Sequence, residues 1–185
     1  MGEVEPIDKE IKLSLKKHIV SKTNTKGIII YTNEYFTEIS KYSEVELIGS
    51  PHSILRHPDM PSVIFKLMWE SIENGRNISA VIKNLAKDGS YYWVITDFEI
   101  QRDIKGNIKN YIAYRQAVSK RVIKEIKTLY KKLIDIEKAH GMDESIEYLI
   151  GFLEEKNMSY QQYIDYLAKP KGLHAKFFDA MKNLF

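Results

Sequence analysis

The densest group of chemistry-bearing side chains lies in Ile54-Leu55-Arg56-His57-Pro58-Asp59-Met60-Pro61, with Met68-Trp69 a short way further along. A guanidinium is a planar fork that grips a phosphate or carboxylate at two points, so Arg56 suits an anionic ligand. His57 is the side-chain type whose ordinary titration lies near neutral pH. The Trp69 ring can cover a flat aromatic group or serve as core. A purely local reading stands beside these, in which Asp59 caps the following helix and pairs with Arg56. Asn33 and Asn84 add amides with both donors and acceptors. Asn33 also reads as a plain helix cap, and Trp93 falls in an alternating strand, where core or sheet surface is the ordinary role. His52 and His57 are imidazoles that could hold a haem iron axially.

Much chemistry is excluded at once. The chain has no cysteine, which removes disulfides, Cys-ligated zinc, covalent c-type haem and thiol redox switching. No nucleophile elbow, P-loop, kinase motif, metal cluster or catalytic carboxylate pair is visible, so no enzyme is expected. Lys and Arg number 28 against 25 Asp and Glu, evenly spread for a net +3. That balance argues against a nucleic-acid surface. Hydrophobic residues at 44% and charged ones at 29% are those of a globular protein. No apolar run approaches the roughly 20 residues of a membrane span, and the acidic start is no secretory signal. A cytoplasmic location follows as the expectation, with any membrane reached through a partner.

The elements that must position these residues are short. Residues 1–17 are a polar lead-in, read as helical from Asp8. His18–Ser21 and Ile28–Tyr31 flank a hairpin turn at Asn24-Thr25-Lys26-Gly27. Asn33 opens a helix over Glu34–Ser40, and Ser43 with Glu46 forms a capping box for another. Pro61 opens a stronger helix, Ser62–Glu73, with Ile64, Leu67, Met68 and Ile72 on one face. Three strands follow, Ile78–Leu85, Tyr91–Gln101 and Ile108–Val118. The order β-β-α-α-α-β-β-β predicts an α+β fold, a five-stranded antiparallel sheet with short helices on one face.

From Ser119 the pattern is helical. Val122, Ile126, Leu129, Leu133 and Ile136 form a heptad seam ended by Gly141, flanked by basic residues that suit an acidic partner helix or anionic lipid. Asp143–Lys156 and Ser159–Ala168 read as two more helices, and Leu173–Phe185 as a final amphipathic piece. The expected division is therefore a lead-in (1–17), an α+β domain (18–118), an amphipathic helix (119–141) and a small helical region (142–185).

The RHPDMP run, the following Met68-Trp69, Tyr31-Thr32-Asn33-Glu34-Tyr35-Phe36, Lys83-Asn84, Lys87-Asp88-Gly89 and Tyr92-Trp93-Val94 together resemble the PAS domain of bacterial aerotaxis and energy-taxis receptors, over about 100 residues without large gaps. The resemblance implies a PAS fold that holds FAD noncovalently and reads redox state or respiratory electron flow, which would make 18–118 a sensory domain and 119–141 a signalling helix. Carried over by position, it implicates Asn33, Arg56, His57, Asp59, Trp69, Asn84 and Trp93 in cofactor binding. Haem is the alternative cofactor, and a cofactor-free interaction module the alternative role. One departure stands out: Asn77-Ile78-Ser79-Ala80 replaces the Pro-Trp-Ser-Gly of flavin-binding relatives, so Ile78 supplies no aromatic contact. With no output domain visible, the resemblance implies a separate, membrane-anchored chemotaxis transducer with a HAMP and signalling region as partner, and leaves room for a homodimer. A cysteine-dependent light-sensing photo-adduct is excluded.

Overall fold

The computed structural model describes residues 4–169. A hairpin and a three-stranded meander, far apart in sequence, make up the sheet. Strand β1 (Ile19–Asn24) turns at Gly27, where φ is +74°, into β2 (Ile29–Thr32). Strands β3 (Ile78–Leu85), β4 (Tyr91–Arg102) and β5 (Ile108–Ala117) form a meander. Pairing β5 with β1 gives one antiparallel sheet in the order β2-β1-β5-β4-β3. The first and last segments of the domain thus meet in its middle.

Between the hairpins lie α1 (Glu34–Ser40), α2 (Glu44–Leu47), a 3-10 turn (His52–Leu55) and α3 (Ser62–Glu73). Local chemistry sets each start: the Asn33 side chain accepts from Phe36 N, Ser43 and Glu46 complete their capping box, and Pro61 precedes α3. Phe36, Leu47, Leu55 and Ile64 are buried against inward residues of the sheet.

The lead-in differs from its expected helix. It runs extended: Ile7 N donates to Gly89 O, Tyr91 N to Lys9 O and Ile11 N to Tyr91 O, in a parallel bridge at Glu10 and Tyr91. The reason is an open seat in the sheet. Strand β5 pairs with β4 only from Val94 onward, so the start of β4, paired with β3 on one side, lacks a strand partner on the other, and the lead-in supplies it.

Helices α4 (Lys120–His140), α5 (Met142–Glu155) and α6 (Tyr160–Ala168) close the far side. They cover the β3 edge, whose free backbone groups would otherwise invite pairing. The Tyr130 hydroxyl donates to Val81 O at 2.6 Å, and Ser79 N donates to Gln161 Oε1 at 2.6 Å. The heptad seam is consequently occupied within the chain: Val122, Ile126, Leu129 and Leu133 are buried with Tyr160, Tyr163, Ile164 and Leu167. Expected residues 170–185 lie outside those described. No helix among the described residues is long and apolar enough to cross a membrane.

Candidate functional site

Side chains alternate across a strand, and that alternation builds the site. Register pairs Asn84 with Tyr92, Ile82 with Val94, Phe98 with Ala113, and Ser21 with Ala113. These residues share the sheet face under α1–α3. Between that face and the helices lies a cavity of about 620 Å³, within the usual range for small-molecule and cofactor sites. Its floor is Ser21, Thr23, Ile82, Asn84, Phe98, Tyr111, Ala113 and Arg115; its opposite wall is His52, Ser53, Arg56, Phe65, Met68, Trp69 and Ile72. Met142, at the start of α5, also lines it.

Three of the expected residues, Arg56, Trp69 and Asn84, meet at this cavity. Arg56 is exposed at the mouth, its Nη2 donating to Ser62 Oγ at 2.8 Å and its guanidinium 4.6 Å from the Phe65 ring centroid. It does not pair with Asp59. Trp69 stands edge-on to Tyr111 with centroids 5.9 Å apart, and its ring fills the space a side chain at Gly27 would need. Asn84 is buried, and its Nδ2 has no hydrogen-bond partner among the described residues; nor has the hydroxyl of its register partner Tyr92.

The other four lie outside the cavity wall. Asn33 spends its amide on the fold: Oδ1 accepts from Phe36 N (3.1 Å) and Val20 N (3.0 Å), and Nδ2 donates to His18 O (2.9 Å). The chain at 56–60 wraps the β3 edge, with a bridge between Arg56 and Asn84, so His57 lands against Tyr91, not in the cavity. His57 Nδ1 accepts from Asp59 N at 3.0 Å. Burial, reinforced by the Lys83 charge, holds its pKa down at about 4, so it is neutral at physiological pH rather than poised to titrate there. Asp59 pairs with Lys83 Nζ at 2.6 Å; burial alone would raise its pKa, but Lys83 outweighs this and lowers it. Trp93 is buried on the opposite sheet face, beneath Lys127 of α4.

Arg115, Ser21, Phe65, Phe98, Tyr111 and Met142 were not singled out by sequence reasoning. Arg115 left a signal: in the alternation Tyr111, Ala113, Arg115 it occupies an inward phase, where a charge is unusual. Phe98 also answers the departure at Ile78. The two are register partners, so the neighbouring strand brings an aromatic ring to the cavity.

The cavity wall carries Lys26, Arg56, Lys66 and Arg115 and, among the described residues, no carboxylate. Such a lining attracts an anionic, partly aromatic ligand.

The fold is that of a PAS domain, and residues 29–115 match the PAS fold family. In sequence the chain is 34% identical to the aerotaxis receptor of Escherichia coli (strain K12) over 115 residues, 62% of this chain and 22% of that one. It is 29% identical over 104 residues to the bacterioopsin transcriptional activator of Halobacterium salinarum, covering 56% of this chain and 15% of the relative. The chain therefore spans less than a quarter of either protein's length. In structure it resembles the dark state of the blue-light photoreceptor Aureochrome1 LOV, with a TM-score of 0.52, 25% identity, and 64% and 86% of the two chains covered. A light-oxygen-voltage domain studied with a flavin analogue aligns with a TM-score of 0.54 at 23% identity over 62% of this chain and 86% of that one, a likeness of fold.

Proposed function

We propose that the chain is a redox or energy sensor that holds FAD noncovalently in the PAS cavity and reports through α4 and α5 to a chemotaxis transducer. The observation that carries this reading is the cavity lining, with its four cations, aromatic walls and orphaned buried amide at Asn84. Arg56, Lys26 and Lys66 at the mouth suit a diphosphate. Asn84 suits the uracil-like edge of a flavin, and Trp69, Phe65 or Phe98 the face of a ring. When bound, the flavin supplies reversible electron uptake; the chain's residues bind it, orient it and keep water from it. Similarity to an aerotaxis receptor supports the same direction.

The haem alternative finds less support. His52 Nε2 is taken up by Arg115 Nη2 at 2.7 Å, and His57 does not line the cavity. An axial ligand would have to leave these contacts.

Signal output from 119–141 belongs to the same proposal. The buried seam of α4 means that a partner meets its basic outer face or waits for the helix to release. Met142 gives the α4–α5 corner direct contact with the cavity.

Fluorescence titration of cofactor-stripped protein with FAD, FMN and riboflavin tests the ligand class. Arg56→Ala should weaken FAD at least tenfold and riboflavin little, since a bidentate charged contact contributes about 1.5–3 kcal/mol. Equal weakening of both, or no binding of any flavin, overturns the assignment.

A further inference from the structure

The deep end of the cavity holds a cation without a counter-charge. Arg115 is 2% exposed. Its Nη1 donates to Ser21 Oγ at 2.9 Å and reaches Ala113 O at 3.4 Å, and its Nη2 lies 2.7 Å from His52 Nε2. Its Nε has no hydrogen-bond partner among the described residues. Every partner is neutral. Burial, then the adjacent guanidinium, pulls the His52 pKa down to about 3, so the imidazole is an uncharged acceptor. Burial also lowers Arg115, but only to about 10, and it stays protonated at neutral pH. Removing a guanidinium from water with no anion beside it is costly. Tying β1 to the 3-10 turn would need hydrogen bonds but no charge, and a neutral amide could provide them. The charge therefore has its use when the cavity is filled.

A dinucleotide cofactor offers two anionic parts. Its diphosphate is permanently charged and strongly hydrated, and the exposed Lys26, Arg56 and Lys66 serve it at the mouth. Arg115, at 2% exposure, is shielded from bulk water, and charges there act on one another more strongly than at the mouth. Resting on the flavin reading above, we propose that Arg115 compensates the negative charge that the flavin ring acquires on reduction, and so raises the cofactor's reduction potential. In that reduction an external electron donor supplies two electrons and solvent one proton, leaving a single negative charge on the ring; no bond to the protein forms or breaks. Arg115 favours the reduced form through a charge it already holds, with neutral His52 as a rigid support that does not compete for it.

The test uses the full chain loaded with FAD, comparing wild type, Arg115→Gln and Arg115→Lys. Affinity for oxidised FAD comes from titration and the midpoint potential from equilibration with a reference dye. For Arg115→Gln the expected result is oxidised FAD bound within a fewfold of wild type and reduced FAD about 100-fold more weakly, a midpoint lower by about 60 mV for a two-electron couple. Arg115→Lys, which keeps the charge, should stay near wild type. The spectrum of the reduced protein should be insensitive to pH across the neutral range in wild type and titrate in Arg115→Gln. Both oxidation states weakened equally, with the midpoint unchanged, would place Arg115 on the permanent charge and overturn the proposal. If Arg115→Gln fails to fold, the lysine variant decides: a midpoint shifted as far as a neutral residue should shift it contradicts a role through charge. Wild-type protein that takes up no FAD contradicts the functional reading itself, a different failure from FAD bound at an unchanged potential.

Discussion

Glu137 of α4 closes the N-terminus of α3: its Oε2 accepts from Ser62 N at 2.9 Å and its Oε1 from Val63 N at 2.8 Å. A carboxylate there satisfies two donors that no helical carbonyl can reach and complements the positive end of the helix. Ser62 is also the residue whose hydroxyl accepts from Arg56. One hydrogen bond therefore separates a guanidinium at the cavity mouth from the contact that fastens α4.

Glu137→Ala should cost about 1 kcal/mol, the usual loss of a helix cap. Hydrogen exchange should rise at Ser62, Val63 and around the α4–α5 corner, with the sheet little changed. Unchanged exchange at the corner would mean that the carboxylate does not fasten the helix.

Gly27 carries two constraints at once. Its φ of +74° disfavours any residue with a Cβ, and a Cβ there would lie 2.8 Å from Trp69 Cη2. Gly27→Ala should therefore destabilise the protein by about 1–2 kcal/mol, and in displacing the indole it should shift the Trp69 emission. Unaltered emission and an unaltered denaturation midpoint would contradict the close packing of this turn.

Two histidines give stability a direction with pH. His52 and His57 fall from an ordinary 6.5 to about 3 and about 4 in the folded protein, burial being the first cause for each. The unfolded chain thus takes up protons near pH 6.5 that the folded chain refuses, so stability is complete above that value and declines as pH falls. Between pH 6.5 and 5 the loss is at most about 1.4 kcal/mol per pH unit for each histidine. Urea unfolding at several pH values should show this slope in wild type and a shallower one in His57→Gln. Equal slopes would mean that His57 is not held neutral.

Much of the fold was legible because local chemistry and periodicity agreed. Asn33, Ser43 with Glu46, Pro61 and Ser159 each mark a helix start, and the apolar patterns between Ser62 and Ala168 became the expected strands and helices. The lead-in was misread because its place depends on a gap left by β5 beside Tyr91, a contact between segments far apart in sequence. Within the site, Arg56, Trp69 and Asn84 converge, while the chain's path around the β3 edge carries His57 and Asp59 away. Adjacent residues in one motif cannot reveal that they face different sides of an edge strand. The seam of α4 shows the same limit from another direction: its heptad spacing signals an apolar partner, and Tyr160, Tyr163, Ile164 and Leu167 of the same chain provide it.

The central claim is that the cavity under Asn84 and Arg115 holds FAD. An absorption spectrum of the purified full chain, with chromatography of the chromophore released by acid, tests it most directly. The account predicts flavin bands in the blue and near ultraviolet, with FAD as the released species. A Soret band with haem released, or protein that stays colourless even after incubation with FAD, would contradict it.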